Sequence, residues 1–410
     1  MKKTSLITLF LLITANVLVS QAQSKMISVG DHSLEMIQAG TGPYTVIFES
    51  GFGTDYKVWG NVASEVMKTS TVVLYSRAGS GKSEASSRQQ SLENAVHDLS
   101  ILIGEAGLKS PLILVGHSYG AFMIRAYASL HPEEVKGLVF VDPAHEKLIQ
   151  ELRKTDAKKT AKDIALQNSF VPEQFKKENE LINGIFEKGA LPDFGVLPQI
   201  PAVLITSVQV RDKPEIFLHE PAGVKIWRKL HTEFFNQFTS GAHYITVGSG
   251  HNIHREEPEL VIGAIEQVIQ LAEKEKLKQQ YELKTSELMK AFQEAGTYLV
   301  KDAAGAEKII FEALKISGFD ERDINGMAYQ QLNNPGTASL ATVMFKYNTL
   351  NFPGSANAFD SYGEALMKQG ALELAKQKFH KAIELAEAAN DTSTLNNSRN
   401  NLKKIDSSKQ

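Results

Sequence analysis

Leu112-Ile113-Leu114-Val115-Gly116-His117-Ser118-Tyr119-Gly120-Ala121-Phe122-Met123-Ile124-Arg125-Ala126-Tyr127 is the stretch that decides the reading of this chain. Its first four residues form a continuous apolar run, the pattern of a strand buried on both faces of a parallel sheet. Its last seven read as a helix. Between them lies a G-x-S-x-G match, which a chain of 410 residues would show by chance about one time in seven at average Gly and Ser usage. The match therefore gains its meaning from its place between strand and helix. The two glycines allow a sharp turn that lifts Ser118 out of the sheet and lets strand and helix pack closely. Ser118 is the candidate nucleophile, and the plain alternative is a structural serine in a turn.

A serine nucleophile needs a base later in the chain, on a loop after a strand. Gly248-Ser249-Gly250-His251 follows the apolar run Tyr244 to Val247 and precedes a terminal helix, so His251 stands where such a base is expected. His117, His243 and His254 compete by proximity, but each lies beside a turn rather than at its apex. Acyl-transfer chemistry also needs donors for an oxyanion. One is expected from the N–H of Tyr119, directly after the nucleophile. The other is expected from the loop Glu49-Ser50-Gly51-Phe52-Gly53, where Phe52 follows the glycine.

Outward from this centre, residues 26–270 alternate short β-branched runs with longer amphipathic stretches, the form of strands joined by crossover helices. The clearest strands are Tyr44 to Phe48, Thr71 to Tyr75, Pro111 to Val115, Leu138 to Val141, Val203 to Thr206 and Tyr244 to Val247. From about residue 143 to 199 the strand signal stops. Helical, charged sequence with as many basic as acidic residues replaces it, which reads as an inserted lid that selects no charge sign.

By these motifs, residues 26–270 resemble the α/β-hydrolase superfamily. The resemblance rests on Ser50-Gly51-Phe52-Gly53 at the oxyanion loop, Ser76-Arg77-Ala78-Gly79-Ser80-Gly81 at the Asp-Arg-x-Gly-x-Gly loop, the turn at Ser118, Val141-Asp142-Pro143, and Ser249-Gly250-His251 through Pro258. Ser50 stands where the family usually has His, which leaves the backbone donor in place but alters the loop's packing. The acid of the triad has two candidates. Asp142 closes the run Phe140-Val141-Asp142, and some lipases of this superfamily take their acid there. Asp212 comes after Val203 to Thr206, later than the family's usual position, with the loop Ser207-Val208-Gln209-Val210-Arg211 in between. The plain reading of Asp142 is a turn-forming Asp before Pro, and that of Asp212 a solvated loop carboxylate between Arg211 and Lys213. A serine at the turn argues against the epoxide hydrolases and dehalogenases of the superfamily, which use Asp there.

Gly81-Lys82-Ser83 invites comparison with a phosphate-binding loop. That pattern requires a glycine where Ser76 stands, and no strong helix follows to aim its N-terminus at phosphates.

Beyond residue 270 the sequence becomes Ala/Glu/Lys/Leu-rich helix, starting at the charged run Glu273-Lys274-Glu275-Lys276. Ala341 and Phe345 stand 34 residues before Ala375 and Phe379, and Pro353 closes the first unit, a period resembling tetratricopeptide repeats. Glu387 takes the place of the closing Pro in the second unit. About two repeats are covered, with helices from Leu283 to Leu314 expected as a third pair or cap.

At the other end, Lys2 and Lys3, the apolar run Leu6 to Val19 and Ser20-Gln21-Ala22 read as a secretory signal peptide cut after Ala22. The apolar run is shorter than the ~20 residues a spanning helix needs.

The chain has no Cys, so disulfides, Cys-ligated zinc, iron–sulfur clusters and thiol nucleophiles are excluded. A net charge of −3 offers no basic excess for nucleic acid. The expected organisation is a signal peptide at 1–22, an α/β-hydrolase sheet with a helical lid at 23–272, and an all-α tetratricopeptide-like domain at 273–410. The expected function is an exported, periplasmic or secreted serine hydrolase acting on an ester, with an amide or lactone as the secondary alternative. It needs no cofactor, no metal, no nucleic acid and no transmembrane segment after cleavage. The repeats are expected to bind a protein or peptide partner or a second copy. The competing expectation is an inactive hydrolase-fold scaffold that recruits partners through them.

Overall fold

The computed structural model describes residues 23–298, 302–334 and 336–407. The expected signal peptide, residues 1–22, lies outside them. The chain divides into two compact units, one ending at Glu275 and the other beginning at Lys276.

The first unit is built on one sheet of eight strands: β1 (Lys25–Ser28), β2 (Ser33–Ala39), β3 (Thr45–Glu49), β4 (Thr71–Tyr75), β5 (Leu112–His117), β6 (Val135–Val141), β7 (Ala202–Ser207) and β8 (Gly241–Thr246). Their spatial order is β1-β2-β4-β3-β5-β6-β7-β8. Pairing is parallel from β4 through β3 to β8, and β2 runs antiparallel to both β1 and β4. The antiparallel pair β1–β2 is an addition to the strands read from sequence. β2 (Ser33-Leu34-Glu35-Met36-Ile37-Gln38-Ala39) mixes polar with apolar residues and lacks the continuous apolar run that marks the central strands.

Alternate residues of a strand face opposite sides. Ile47, Leu114, Phe140 and Leu204 enter one apolar cluster, where they meet Leu99, Leu102 and Phe122. Val46, Phe48, Val115, Val139 and Val203 enter the other, against Val62, Val261, Ile265 and Val268. Covering both faces are α1 (Gly60–Val66), α2 (Leu92–Glu105), α3 (Gly120–Leu130), the lid helices α4 (Leu148–Ser169) and α5 (Lys176–Lys188), then α6 (Pro221–Phe235), the short α7 (Ile253–Glu256) and α8 (Pro258–Tyr298). Helix α4 is broken at Asp156, whose φ of −152° is non-helical. Its first part joins Phe217, Trp227 and Leu230 in a small separate core through Leu148, Ile149 and Leu152.

The register places the strand ends that matter side by side. Glu49 pairs with Gly116, His117 with Val141, and Val141 with Ile205. The carboxyl ends of β3, β5, β6 and β7 thus open on one edge, where sites in parallel sheets collect.

The second unit is all helical: the end of α8, then α9 (Ala303–Ser317), α10 (Glu321–Leu332), α11 (Ala338–Asn351), α12 (Ala356–Lys368), α13 (Leu372–Ala389) and α14 (Thr392–Ser407). Ala341 and Phe345 on α11, and Ala375 and Phe379 on α13, are all fully buried in its core. Gly363 on α12 is needed there, because a Cβ would lie 2.6 Å from the Phe379 ring. Among the described residues no helix is long and apolar enough to cross a membrane.

Candidate active site

Strand β5 ends at His117, helix α3 begins at Gly120, and Ser118 takes the turn between them with φ of 51°. A left-handed backbone at a non-glycine residue costs about 1–3 kcal/mol and persists only where the surroundings impose it. Here Ser118 N–H donates to Val141 O at 3.2 Å, and Ser118 O accepts from Ala144 N at 2.9 Å. Both motif glycines are sterically required. A Cβ on Gly116 would lie 2.8 Å from Gly120 O, and one on Gly120 only 2.5 Å from Glu49 O.

Asp142, directly after β6, has φ of 42° and is the second left-handed residue at this edge. Its carboxylate is buried and takes three donors. Oδ1 accepts from Ser207 N at 2.9 Å and Trp227 Nε1 at 2.8 Å, while Oδ2 lies 2.7 Å from His251 Nδ1. A carboxylate on Nδ1 places the proton there and leaves Nε2 as the basic nitrogen. Asp212 is exposed on the loop after β7. The loop Ser249-Gly250-His251 is held from several sides. Ser207 Oγ donates to Ser249 O at 2.7 Å, Ser249 Oγ donates to Glu257 Oε2 at 2.5 Å, and Gly250 N donates to Glu256 Oε2 at 2.8 Å.

His117 ties this loop to the turn at Ser118. Its Nε2 lies 2.9 Å from the carbonyl oxygen of His251, and since a carbonyl only accepts, Nε2 carries the proton. Burial, with His251 and His254 beside it, holds His117 far below the usual imidazole range, so it stays neutral. His254, whose ring centre lies 4.4 Å from that of His117, is likewise pushed down to about 3 by burial. A third buried imidazole, His231, spans from Thr206 Oγ1 (2.7 Å) to Pro143 O (2.8 Å) behind the acid, and burial lowers it to about 4.

The loop after β3 passes against Ser118. A Cβ on Gly51 would lie 3.5 Å from Ser118 Cβ and 2.8 Å from His117 Nδ1, so only glycine fits. Among the described residues, neither the Phe52 N–H nor the Tyr119 N–H has an acceptor. Ser50 settles into the place where His is usual by accepting from Trp59 Nε1 at 3.2 Å and donating to Asp55 O at 3.1 Å.

Under this loop lies a buried charge cluster in which Arg77, from the Ser76-to-Gly81 loop that carries the resemblance, meets Glu49 and the lid residue Glu178, a partnership the sequence did not indicate. Arg77 reaches Ser50 O (2.7 Å), Gly51 O (2.9 Å), Glu49 Oε2 (3.3 Å) and Glu178 Oε1 (3.0 Å). Burial alone would lower the Arg77 guanidinium, but Glu178 and Glu49 hold it above its ordinary value. Burial pushes Glu49 up to about 7, against the pull of Arg77. A charged residue two places past a buried strand was the available signal.

Two cavities adjoin the site. One of about 310 Å³ is lined by His251, Asp142, Trp227, Leu218, Ile216 and Arg211, and one of about 480 Å³ by Tyr119, Arg77, Tyr75, Asp98 and Glu178. Away from both loops, His131, Glu133 and Glu134 offer ligand atoms within 4.8 Å of one another, although His131 Nε2 is 3.0 Å from Ser100 Oγ.

The sheet order, the strand–turn–helix at Ser118 and the lid after β6 define an α/β-hydrolase fold, and residues 44–165 match the family model described as alpha/beta hydrolase fold. The uncharacterized protein YqjL of Bacillus subtilis is 26% identical over 237 residues, covering 55% of this chain and 83% of that protein. Among solved structures, the mouse alpha/beta hydrolase domain-containing protein 10 is 18% identical with a TM-score of 0.45, covering 61% of this chain and 99% of its own. The carboxylesterase CesB of Bacillus subtilis is 14% identical with a TM-score of 0.43, covering 65% of this chain and 98% of its own.

Proposed function

We propose that the protein is a serine hydrolase that cleaves an ester, with an amide or lactone as the alternative substrate class, through an acyl-enzyme on Ser118. The observation that carries this reading is the 2.7 Å contact between His251 Nδ1 and the buried Asp142, on the sheet edge where Ser118 sits in its strained turn. Ser118 Oγ adds to the substrate carbonyl carbon while His251 Nε2 takes the hydroxyl proton. The carbonyl π pair moves onto oxygen, where the Phe52 and Tyr119 N–H groups receive it. When the tetrahedral centre collapses, the bond to the leaving oxygen breaks and His251 returns the proton to it. Water then repeats the sequence on the acyl-enzyme, while Asp142 stays ionised and stabilises the imidazolium.

A fluorophosphonate probe should label Ser118 in the native protein, and p-nitrophenyl esters of increasing chain length should reveal which acyl group the lid admits. Absence of label in a folded protein would favour an inactive scaffold. We also propose that residues 1–22 direct export, with cleavage after Ala22. This is a reading of the sequence, tested by the N-terminal residue of the exported protein.

A further inference from the structure

The Arg77 cluster joins two parts of the chain that a lid would be expected to keep separate. Glu178 lies in the first turn of lid helix α5, 101 residues beyond Arg77, and both side chains are buried. Its carboxylate is divided between two tasks: Oε1 takes Arg77 Nε at 3.0 Å, and Oε2 takes the N–H of Gly53 at 3.3 Å. The same guanidinium grips the carbonyls of Ser50 and Gly51 at 2.7 and 2.9 Å and lies 4.9 Å over the ring of Tyr119. Phe175, just before α5, sets its ring 6.0 Å from that of Phe52.

The peptide unit explains why this matters. The carbonyl of Gly51 and the N–H of Phe52 belong to one planar group and point in opposite directions. Holding Gly51 O therefore fixes the direction of the Phe52 N–H, which projects from the opposite side of the same peptide unit. Gly53 N–H, on the far side of Phe52, is held by Glu178 itself. The ion pair thus holds the oxyanion loop at Gly51 O, which also accepts from Thr54 Oγ1 at 3.0 Å, and at the Gly53 N–H, and half of the pair belongs to the lid.

We propose that Glu178 is a positioning residue for the oxyanion hole. Through Arg77 and Gly53 it aligns the Phe52 N–H, so the hole is complete only when α5 is docked. This rests on the serine-hydrolase reading above. It makes α5 a fixed wall of the site rather than a flap that swings clear during turnover. A donor displaced by about 1 Å loses on the order of 10²-fold in rate, because preorganisation is what makes the donor effective.

Glu178→Gln tests the arrangement in the full chain. The amide keeps the shape but presents an NH2 group to either Arg77 or Gly53, both donors, so one of the two contacts must fail. The expected result is a kcat lower by ~10–100-fold with KM within about threefold of the native value, because the oxyanion forms only after substrate is bound. Arg77→Lys, which replaces the fork by a single ammonium, should give a similar loss, and the double variant should be no worse than the more damaged single variant. Hydrogen exchange supplies a readout independent of activity. In Glu178→Gln, peptides covering 50–54 and 176–188 should lose protection together, while those covering β5 and α3 keep it.

A folded Glu178→Gln with native kcat overturns the proposal, as does exchange that quickens in 176–188 alone. If Glu178→Gln does not fold, Arg77→Lys carries the same two readouts with the same outcomes. Absence of fluorophosphonate label in the native protein would instead sink the hydrolase reading, and the exchange comparison would still decide whether lid and loop are coupled.

Discussion

His251 Nδ1 lies 2.7 Å from Asp142 Oδ2, although 109 residues separate them in the chain. The partners of the other carboxylate oxygen, Ser207 N and Trp227 Nε1, come from β7 and α6, and Asp142 is only 3% exposed. A carboxylate so enclosed holds the His251 imidazole through its one remaining oxygen, Oδ2.

Replacing it by Asn should therefore lower turnover of a p-nitrophenyl ester by ~10³–10⁴-fold, because the amide keeps the shape but removes the charge that stabilises the imidazolium. Asp212→Asn, at an exposed loop position, should remain within about twofold of native activity and within ±0.5 kcal/mol of native stability. The reverse pattern in the two variants would transfer the role to Asp212.

Ser118 should trade stability for its place in the turn. With φ at 51°, it occupies a region that glycine enters freely. Ser118→Gly is expected to abolish esterase activity yet leave the protein as stable as the native form or more stable, by up to about 1 kcal/mol in urea unfolding. A variant less stable than native by more than that margin would show that the hydroxyl, not the strain, dominates at this position.

The buried imidazoles should make the protein sensitive to acid. His231 falls from 6.5 to about 4 on folding, so the unfolded chain takes up a proton that the native state refuses. Its contribution is fully present above pH 6.5 and is lost as pH falls toward 4, by about 3 kcal/mol at 1.36 kcal/mol per pKa unit. His254, lowered to about 3, acts in the same direction. Glu49, raised to about 7, works in the opposite sense, and its contribution fades as pH rises from 4.5 through 7. Unfolding free energies measured between pH 7 and 4.5 should decline less steeply in His231→Gln than in the native protein. Parallel slopes would mean that His231 does not titrate across unfolding.

Local sequence was enough for those parts of the molecule that depend on neighbours along the chain. The apolar run Leu112 to Val115 can be satisfied only by burial on both faces. Gly116 and Gly120 permit the turn, so Ser118 follows from residues within a few places of it, and the central strands can be read in the same way. The strand pair β1–β2 could not, because half its residues are polar and only the neighbouring β4 gives them a ladder to join.

At the site the division is sharper. The sequence favoured Asp142, directly after a strand, and kept Asp212, five loop residues beyond Thr206, as the alternative; the packing of Trp227 and Ser207 around Asp142 is what holds its carboxylate against His251. Arg77 was visible as part of the Ser76-to-Gly81 loop that carries the family resemblance, and Glu178 only as a charged residue of the lid. Their meeting beneath the oxyanion loop depends on where α5 returns to the sheet, and no periodicity or spacing encodes that return. Short-range sterics and hydrophobic pattern thus settled the central strands and the strained turn at Ser118. The identity of the partners that hold the site in register was decided by long-range packing, because an ion pair or a hydrogen bond across a hundred residues acquires its strength only from the buried surroundings that folding creates.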